Sequence, residues 1–266
     1  MSGRRSRAAA LAATLLALCA PLAACGGDDG ASATAGGVGD GDGGGALVVS
    51  GATSLKRAFE RYRPSGVRYQ FAGSDELAAQ IRQGVRPDVF ASADTTLPDA
   101  LHAEGLVGRP VVFAANRLVI AVPAGSDEIR SAADLAAPGT TIAIGSETVP
   151  IGAYTRRLLA RLGRAQSDAI LANVRSNEPD VGGVVGKVAQ GALDAGFVYV
   201  TDVEGAGGRL RAVELPERVQ PRVAYAAAVV DGAAHPRAAR AFVDGLLDGA
   251  GAEALSAAGF EPAPGR

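Results

Sequence analysis

The chain has 266 residues, 48% of them hydrophobic and 20% charged, with a formal net charge of −2. This is the composition of a globular protein large enough for one big domain or two lobes. The balanced charge supplies no field for nucleic acid or an anionic membrane, and five Tyr with no Trp exclude base-stacking platforms.

The N-terminus, "MSGRRSRAAALAATLLALCAPLAAC", carries Arg4, Arg5 and Arg7 ahead of an apolar run broken by Pro21. That is the layout of an export signal, and the run is too short for a membrane span. Its end, Leu22-Ala23-Ala24-Cys25, resembles the bacterial lipobox, whose cysteine is lipidated after cleavage; the alternative is an ordinary signal that happens to end in Ala-Ala-Cys. Cys19 falls in the discarded part, so Cys25 has no partner for a disulfide. The Arg4-Arg5 pair leaves both the general and the twin-arginine route open. Residues 26–45, "GGDDGASATAGGVGDGDGGG", read as a flexible tether too poor in apolar residues to pack. Gly39 to Gly44 matches G-x-G-x-x-G but precedes the first strand, so it is not a dinucleotide loop.

From Ala46 onward, short apolar runs alternate with helical periodicity. "ALVVS" predicts a buried strand, and Ser54 to Tyr62 a helix with Leu55, Ala58, Phe59 and Tyr62 on one face. "VRYQFA" is a second strand, and Leu77, Ala78 and Ile81 mark a helix that opens at Ser74. "DVFASA" and a helix near Leu97 to Glu104 follow, ending at Gly105. This order implies a parallel sheet covered by helices. "NRLVIAVP" and "YAAAVVDG" are further strands. Between them lies a second set: "TIAIG", a helix from Ile151 to Leu162, a helix from Val181 to Gln190, and "AGFVYV". Only helices follow, around Pro236 to Leu247 and Ala252 to Ala257.

The organisation expected is α/β and two-lobed, each lobe a mainly parallel sheet flanked by helices, with two crossover strands as hinge. Residues 1–24 form the signal and 25–45 the tether. Residues 46–121 and 227–266 form the first lobe, and 122–226 an inserted second lobe. Ligands in such sheets sit at the carboxyl ends of strands, here in the cleft between lobes.

Catalytic chemistry is not visible. There is no G-x-S-x-G elbow. His102 and His235 are isolated and read as surface or capping residues, and no spacing suggests a protein-bound metal. Asp75-Glu76 follow Ser74 where a helix dipole favours acids. No cofactor is expected, and the chain is read as a binding protein, not an enzyme.

What recurs is one kind of junction. Ser54, Ser74, Ile151 and Val181 each open a helix, three of them close behind a strand, with Gly51, Ala52, Gly73 or Gly152 nearby. Helix starts offer unpaired N–H groups and partial positive charge, so several aimed at one point make an anion site. For each serine singly, helix capping is the competing explanation. Neutral donors suit a dianion that must later be released, and they select against protonated ions, whose O–H would meet only donors.

At these residues the chain resembles the periplasmic molybdate-binding proteins of ABC importers, a group of type II solute-binding proteins. The resemblance rests on "SGATSL", "FAGSDELAAQI", "RPDVFASAD", "VPIGAYTRRLL", "NEPDVGGVVGKVAQGALDAGFVYVTD" and "AAGF", and spans about Ala46 to Pro262. It implies an oxyanion, molybdate or tungstate, held by the Ser54 and Ser74 hydroxyls, the Ile151 and Val181 N–H groups and the Tyr199 hydroxyl. It also implies a monomer working with an ABC permease and its ATPase, anchored to the outer face of the membrane through Cys25. Alternatives are another tetrahedral oxyanion such as sulfate, or a sensor lipoprotein on the same fold. Tyr199 has its own alternative, an aromatic packed between lobes. The family often has a second serine where Asp75 stands and a small residue where Ile151 stands. Asp75 is expected to point away from the anion.

Overall fold

The computed structural model describes residues 45–264. The expected signal, Cys25 and nearly all of the tether lie outside the described residues.

The strands are β1 (Leu47–Ala52), β2 (Val67–Ala72), β3 (Val89–Ser92), β4 (Val111–Asn116), β5 (Leu118–Pro123), β6 (Ile142–Gly145), β7 (Val174–Glu178), β8 (Ala195–Tyr199), β9 (Leu210–Val213), β10 (Val223–Val229) and β11 (Glu261–Pro262). The helices are α1 (Lys56–Arg61), α2 (Ser74–Arg82), α3 (Thr96–Ala103), α4 (Pro150–Arg161), α5 (Arg164–Ala172), α6 (Val181–Ala189), α7 (Val200–Gly205), α8 (Pro236–Gly245) and α9 (Ala250–Ala257). They build two sheets, ordered β11-β4-β10-β3-β1-β2 and β7-β6-β8-β5-β9.

Both sheets have a parallel part: β2-β1-β3 in one, as expected, and in the other β6 beside β8 with an unanticipated edge strand β7 added. The crossover segments then add antiparallel partners. β10 lies between β3 and β4, and β5 between β8 and β9. The sheets are therefore mixed. A strand that arrives from the other lobe has no crossover helix to turn it parallel, and antiparallel pairing needs none.

Chain passage between sheets is short. β4 and β5 are separated only by Arg117, whose guanidinium bonds Glu214 at 2.9 Å and Glu261 at 3.0 Å. "VVFAAN" and "LVIAVP" are thus one extended run serving two sheets. The return leads from β9 through a 3-10 turn at Glu217–Val219 into β10.

Buried positions follow the strand layout. β3 and β6 are buried at every position, as strands covered on both faces must be. One apolar cluster runs through both sheets, from Val49 and Phe59 to Leu118, Ile144 and Phe197. A second gathers Leu77, Ala78 and Ile81 of α2 against Phe90, Leu101 and Ala228. β7 was not anticipated because "VRSNE" is polar and alternates exposed with half-buried residues at the sheet edge.

His235 departs from its expected place. It is buried, its N–H donates to Asp88 Oδ1 at 2.8 Å, and its ring Nδ1 lies 3.1 Å from Asp88 Oδ2. The same carboxylate accepts the Val48 N–H at 2.8 Å. His235 stands at the N-cap of α8 but does not cap it with its side chain. The buried carboxylate of Asp88 explains this histidine structurally.

Candidate anion site in the interlobe cleft

Each wall of the cleft is a strand end running into a helix. β1 ends at Ala52 and passes into a 3-10 turn, Thr53–Leu55, before α1. Contrary to the expectation from the sequence, Ser54 is therefore the middle residue of a 3-10 turn and does not itself open a helix. β2 leads through Gly73 to α2, and Gly73, not Ser74, is the N-cap residue. Ser74 is the first helical residue and its hydroxyl caps nothing, which removes the capping explanation for it. From the other lobe, α4 begins at Pro150 with Ile151 second, and α6 begins at Val181 behind the N-cap Asp180. β8 ends at Tyr199, which starts α7.

These ends converge. One cavity of about 20 Å³ is lined by Ser54, Ser74, Ile151, Val181 and Tyr199 together with Ala52, Thr53, Ala93, Asp180 and their neighbours. All five residues singled out in the sequence thus share one wall. The volume is just above the ~10–15 Å³ that a single water molecule requires. It suits a compact ion and leaves no room for a sugar or peptide.

The hydrogen-bond roles inside are uneven. Ser74 Oγ accepts the Ala93 N–H at 3.2 Å, and Ser54 Oγ accepts the Tyr225 hydroxyl at 3.1 Å. A hydroxyl whose oxygen is occupied by a donor has its own proton left to give. Tyr199 Oη is buried and has no hydrogen-bond partner among the described residues. Burial, and then the neighbouring Tyr225, pushes its ionisation well above the usual tyrosine value, so the proton stays on. Its ring stacks edge-on to Tyr225, with centroids 5.8 Å apart. The ring of Tyr199 thus packs against Tyr225, while its hydroxyl keeps its proton. Ile151 and Val181, in the first turns of α4 and α6, have N–H groups with no acceptor within their own helices. Among the described residues no Lys or Arg lines the cavity.

Two carboxylates needed placing. Asp75 is not among the lining residues; its Oδ2 accepts the Thr148 hydroxyl at 2.6 Å from the opposite lobe. Asp180, unremarked in the sequence, does line the cavity. Its Oδ1 caps the Gly183 N–H at 2.9 Å, and its Oδ2 accepts the Thr53 hydroxyl at 3.1 Å. An acidic residue just before an apolar helical run is an N-cap signal that would have found it. Both carboxylates are thus engaged by hydroxyls across the cleft, tying the lobes together around the cavity.

Gly73 serves this closure, and Gly152 a tight junction within its own lobe. A Cβ on Gly73 would lie 2.5 Å from the Pro179 carbonyl oxygen, and one on Gly152 1.8 Å from the Ser146 carbonyl oxygen. The close approach at both positions is made by the protein's own backbone. Among the described residues no cluster of His, Cys, Asp or Glu could hold a metal ion, and no helix is long and apolar enough to cross a membrane.

A cavity for a small ion, walled by strand ends and helix starts of two lobes, is the site of a solute-binding protein. Residues 52–261 match the family model described as bacterial extracellular solute-binding protein. The chain belongs to that family. It is 39% identical over 253 residues to the molybdate-binding protein ModA of Mycobacterium tuberculosis, covering 91% of this chain and 94% of that one. Among solved structures it resembles the periplasmic molybdate-binding protein of Azotobacter vinelandii, with a TM-score of 0.71, 23% identity, and 80% and 98% of the two chains covered. The sulfate-binding protein SubI of M. tuberculosis matches with a TM-score of 0.75 at 16% identity, covering 83% of this chain and 88% of that one. Both structural likenesses show the two-lobed fold. The relatives are binding proteins and not enzymes.

Proposed function

We propose that this protein captures molybdate, and tungstate with it, in the cavity between its lobes and delivers it to an ABC permease and ATPase. The observation that carries this reading is a cavity of ionic size in which the hydroxyls of Ser54, Ser74 and Tyr199 all have a proton to give. With the N–H groups of Ile151 and Val181 they form a neutral donor shell around a fully deprotonated tetrahedral dianion. The 39%-identical relative carries the molybdate-binding name, which supports the choice of ion. The lobes, 46–121 with 227–266 and 122–226, close as rigid bodies about the crossover strands, and the closed monomer docks on the permease. Cys25 is the lipid anchor that keeps it at the outer face of the membrane. Mass spectrometry of the exported protein tests that anchor, and an unmodified Cys25 at a free N-terminus would remove it.

The ligand is tested by thermal unfolding of the full chain with molybdate, tungstate, sulfate and phosphate. A ligand at 100 times its dissociation constant adds about 2.7 kcal/mol of stability. Molybdate and tungstate are expected to do so, and phosphate not. Equal stabilisation by sulfate, or none by molybdate, would overturn the assignment.

A further inference from the structure

Behind the cavity wall lies a buried hydrogen-bond chain whose direction is set at the hinge. Asn116, the last residue of β4, accepts the backbone N–H of Arg117 on its Oδ1 at 2.9 Å. A backbone N–H only donates, so this contact decides which way the amide is turned. Asn116 Nδ2 then faces Thr201 Oγ1 at 2.9 Å and Tyr225 Oη at 3.5 Å, and donates to both. With its oxygen receiving that N–H, Tyr225 gives its proton to Ser54 Oγ at 3.1 Å. Ser54 is left with its proton directed elsewhere, and the cavity is what it lines. Asn116, Tyr225, Ser54 and Thr201 are all buried, so water does not compete for these roles. The register between β4 and β10 shifts between Tyr225 and Ala226, an irregularity of the kind that re-aims side chains beside sites.

We propose that Tyr225, oriented by Asn116, is a positioning residue that holds the Ser54 hydroxyl as a donor to the anion and so makes the site reject protonated oxyanions. Neither residue lines the cavity. The inference rests on the anion reading of the site above and assigns to it a source of specificity. Hydrogen arsenate is tetrahedral and doubly charged like molybdate but carries one O–H, which needs an acceptor. While Tyr225 donates to one lone pair of Ser54 Oγ, the serine is held with its own proton toward the cavity, so an arsenate O–H there meets a donor instead of an acceptor. Removing the tyrosine hydroxyl frees Ser54 to turn and accept.

The experiment is calorimetric titration of the full chain with molybdate, sulfate and hydrogen arsenate at neutral pH, in the wild type, Tyr225→Phe, Ser54→Ala and the double variant. Tyr225→Phe is expected to weaken molybdate roughly tenfold, the worth of one hydrogen bond. It is expected to lower the molybdate-to-arsenate affinity ratio by about the same factor while leaving the molybdate-to-sulfate ratio unchanged, since sulfate carries no proton. In the Ser54→Ala background Tyr225→Phe should have no further effect on affinity. An unchanged arsenate ratio, or the same effect of Tyr225→Phe with and without Ser54, overturns the proposal. Should Tyr225→Phe fail to fold, Asn116→Leu releases the Tyr225 hydroxyl from the same chain and must shift the arsenate ratio in the same direction. A wild type that binds sulfate but not molybdate overturns only the choice of ion, and the sulfate-to-arsenate ratio then carries the test. A wild type that binds no tetrahedral oxyanion overturns both.

Discussion

Removing one oxygen atom, by Tyr199→Phe, separates the anion reading from a structural one by sign. Tyr199 Oη is buried without a hydrogen-bond partner among the described residues, and a buried polar group left unpaired costs about 1–3 kcal/mol. The ring's packing on Tyr225 is the same for phenylalanine. The ligand-free variant should therefore be as stable as the wild type or gain up to that amount, and each kcal/mol corresponds to roughly 2–4 °C in Tm for a chain of this size. Binding should move the other way. A hydrogen bond to a charged group contributes about 1.5–3 kcal/mol, so molybdate affinity should fall roughly 10- to 150-fold. Scanning fluorimetry without ligand and calorimetry with molybdate read the two quantities independently. A variant that loses stability yet keeps its affinity would refute the reasoning, because the hydroxyl would then serve the fold and not the ion.

Gly73→Ala should bind molybdate at least tenfold more weakly with little change in ligand-free stability: its Cβ would press on the Pro179 carbonyl at 2.5 Å, while the Gly73 backbone (φ −60°, ψ 139°) is open to alanine. Unchanged affinity in calorimetry would show that the lobes accommodate the methyl group. Thr148→Val removes the 2.6 Å bond to Asp75 and should speed molybdate release about five- to tenfold in stopped-flow displacement, that bond existing only when the lobes are together. An unchanged release rate would mean the contact does not hold the cleft. Asp202 supplies a pH test, since burial raises its carboxyl to about 7 from 3.8. A raised folded value means the native state keeps a proton the unfolded chain gives up, so this group's contribution is most favourable below pH 3.8 and is lost as pH rises toward about 7. Asp202→Asn, which keeps an acceptor for the Tyr199 N–H, should gain stability over the wild type progressively across that window in urea titrations; a pH-independent difference would contradict the burial argument.

Much of the cleft was legible because it is built from local signals. A strand ending in small residues and running into a helix start is written in six or seven consecutive residues, as in "SGATSL" or "FAGSDEL". The same locality explains the misreadings. Whether Ser74 or Gly73 is the N-cap differs by one position, which pattern does not resolve. Asp75 was expected to avoid the ion, but only the opposite lobe shows what it bonds instead, the Thr148 hydroxyl 73 residues away. Asp180 and His235 looked ordinary because their partners, Thr53 and Asp88, are distant in sequence.

By itself the sequence determined the alternation of strands and helices, the two-lobed plan, and a set of neutral donors at helix starts. Those follow from hydrophobic period and helix-end chemistry, which act over a few residues. Only the tertiary structure decided which lone pairs are already occupied. The direction of the chain from Arg117 through Asn116 and Tyr225 to Ser54 depends on groups up to 171 residues apart meeting in the buried interior. A hydroxyl in the sequence is equally donor and acceptor; its buried neighbours choose between the two, and on that choice the proposed ion selectivity rests.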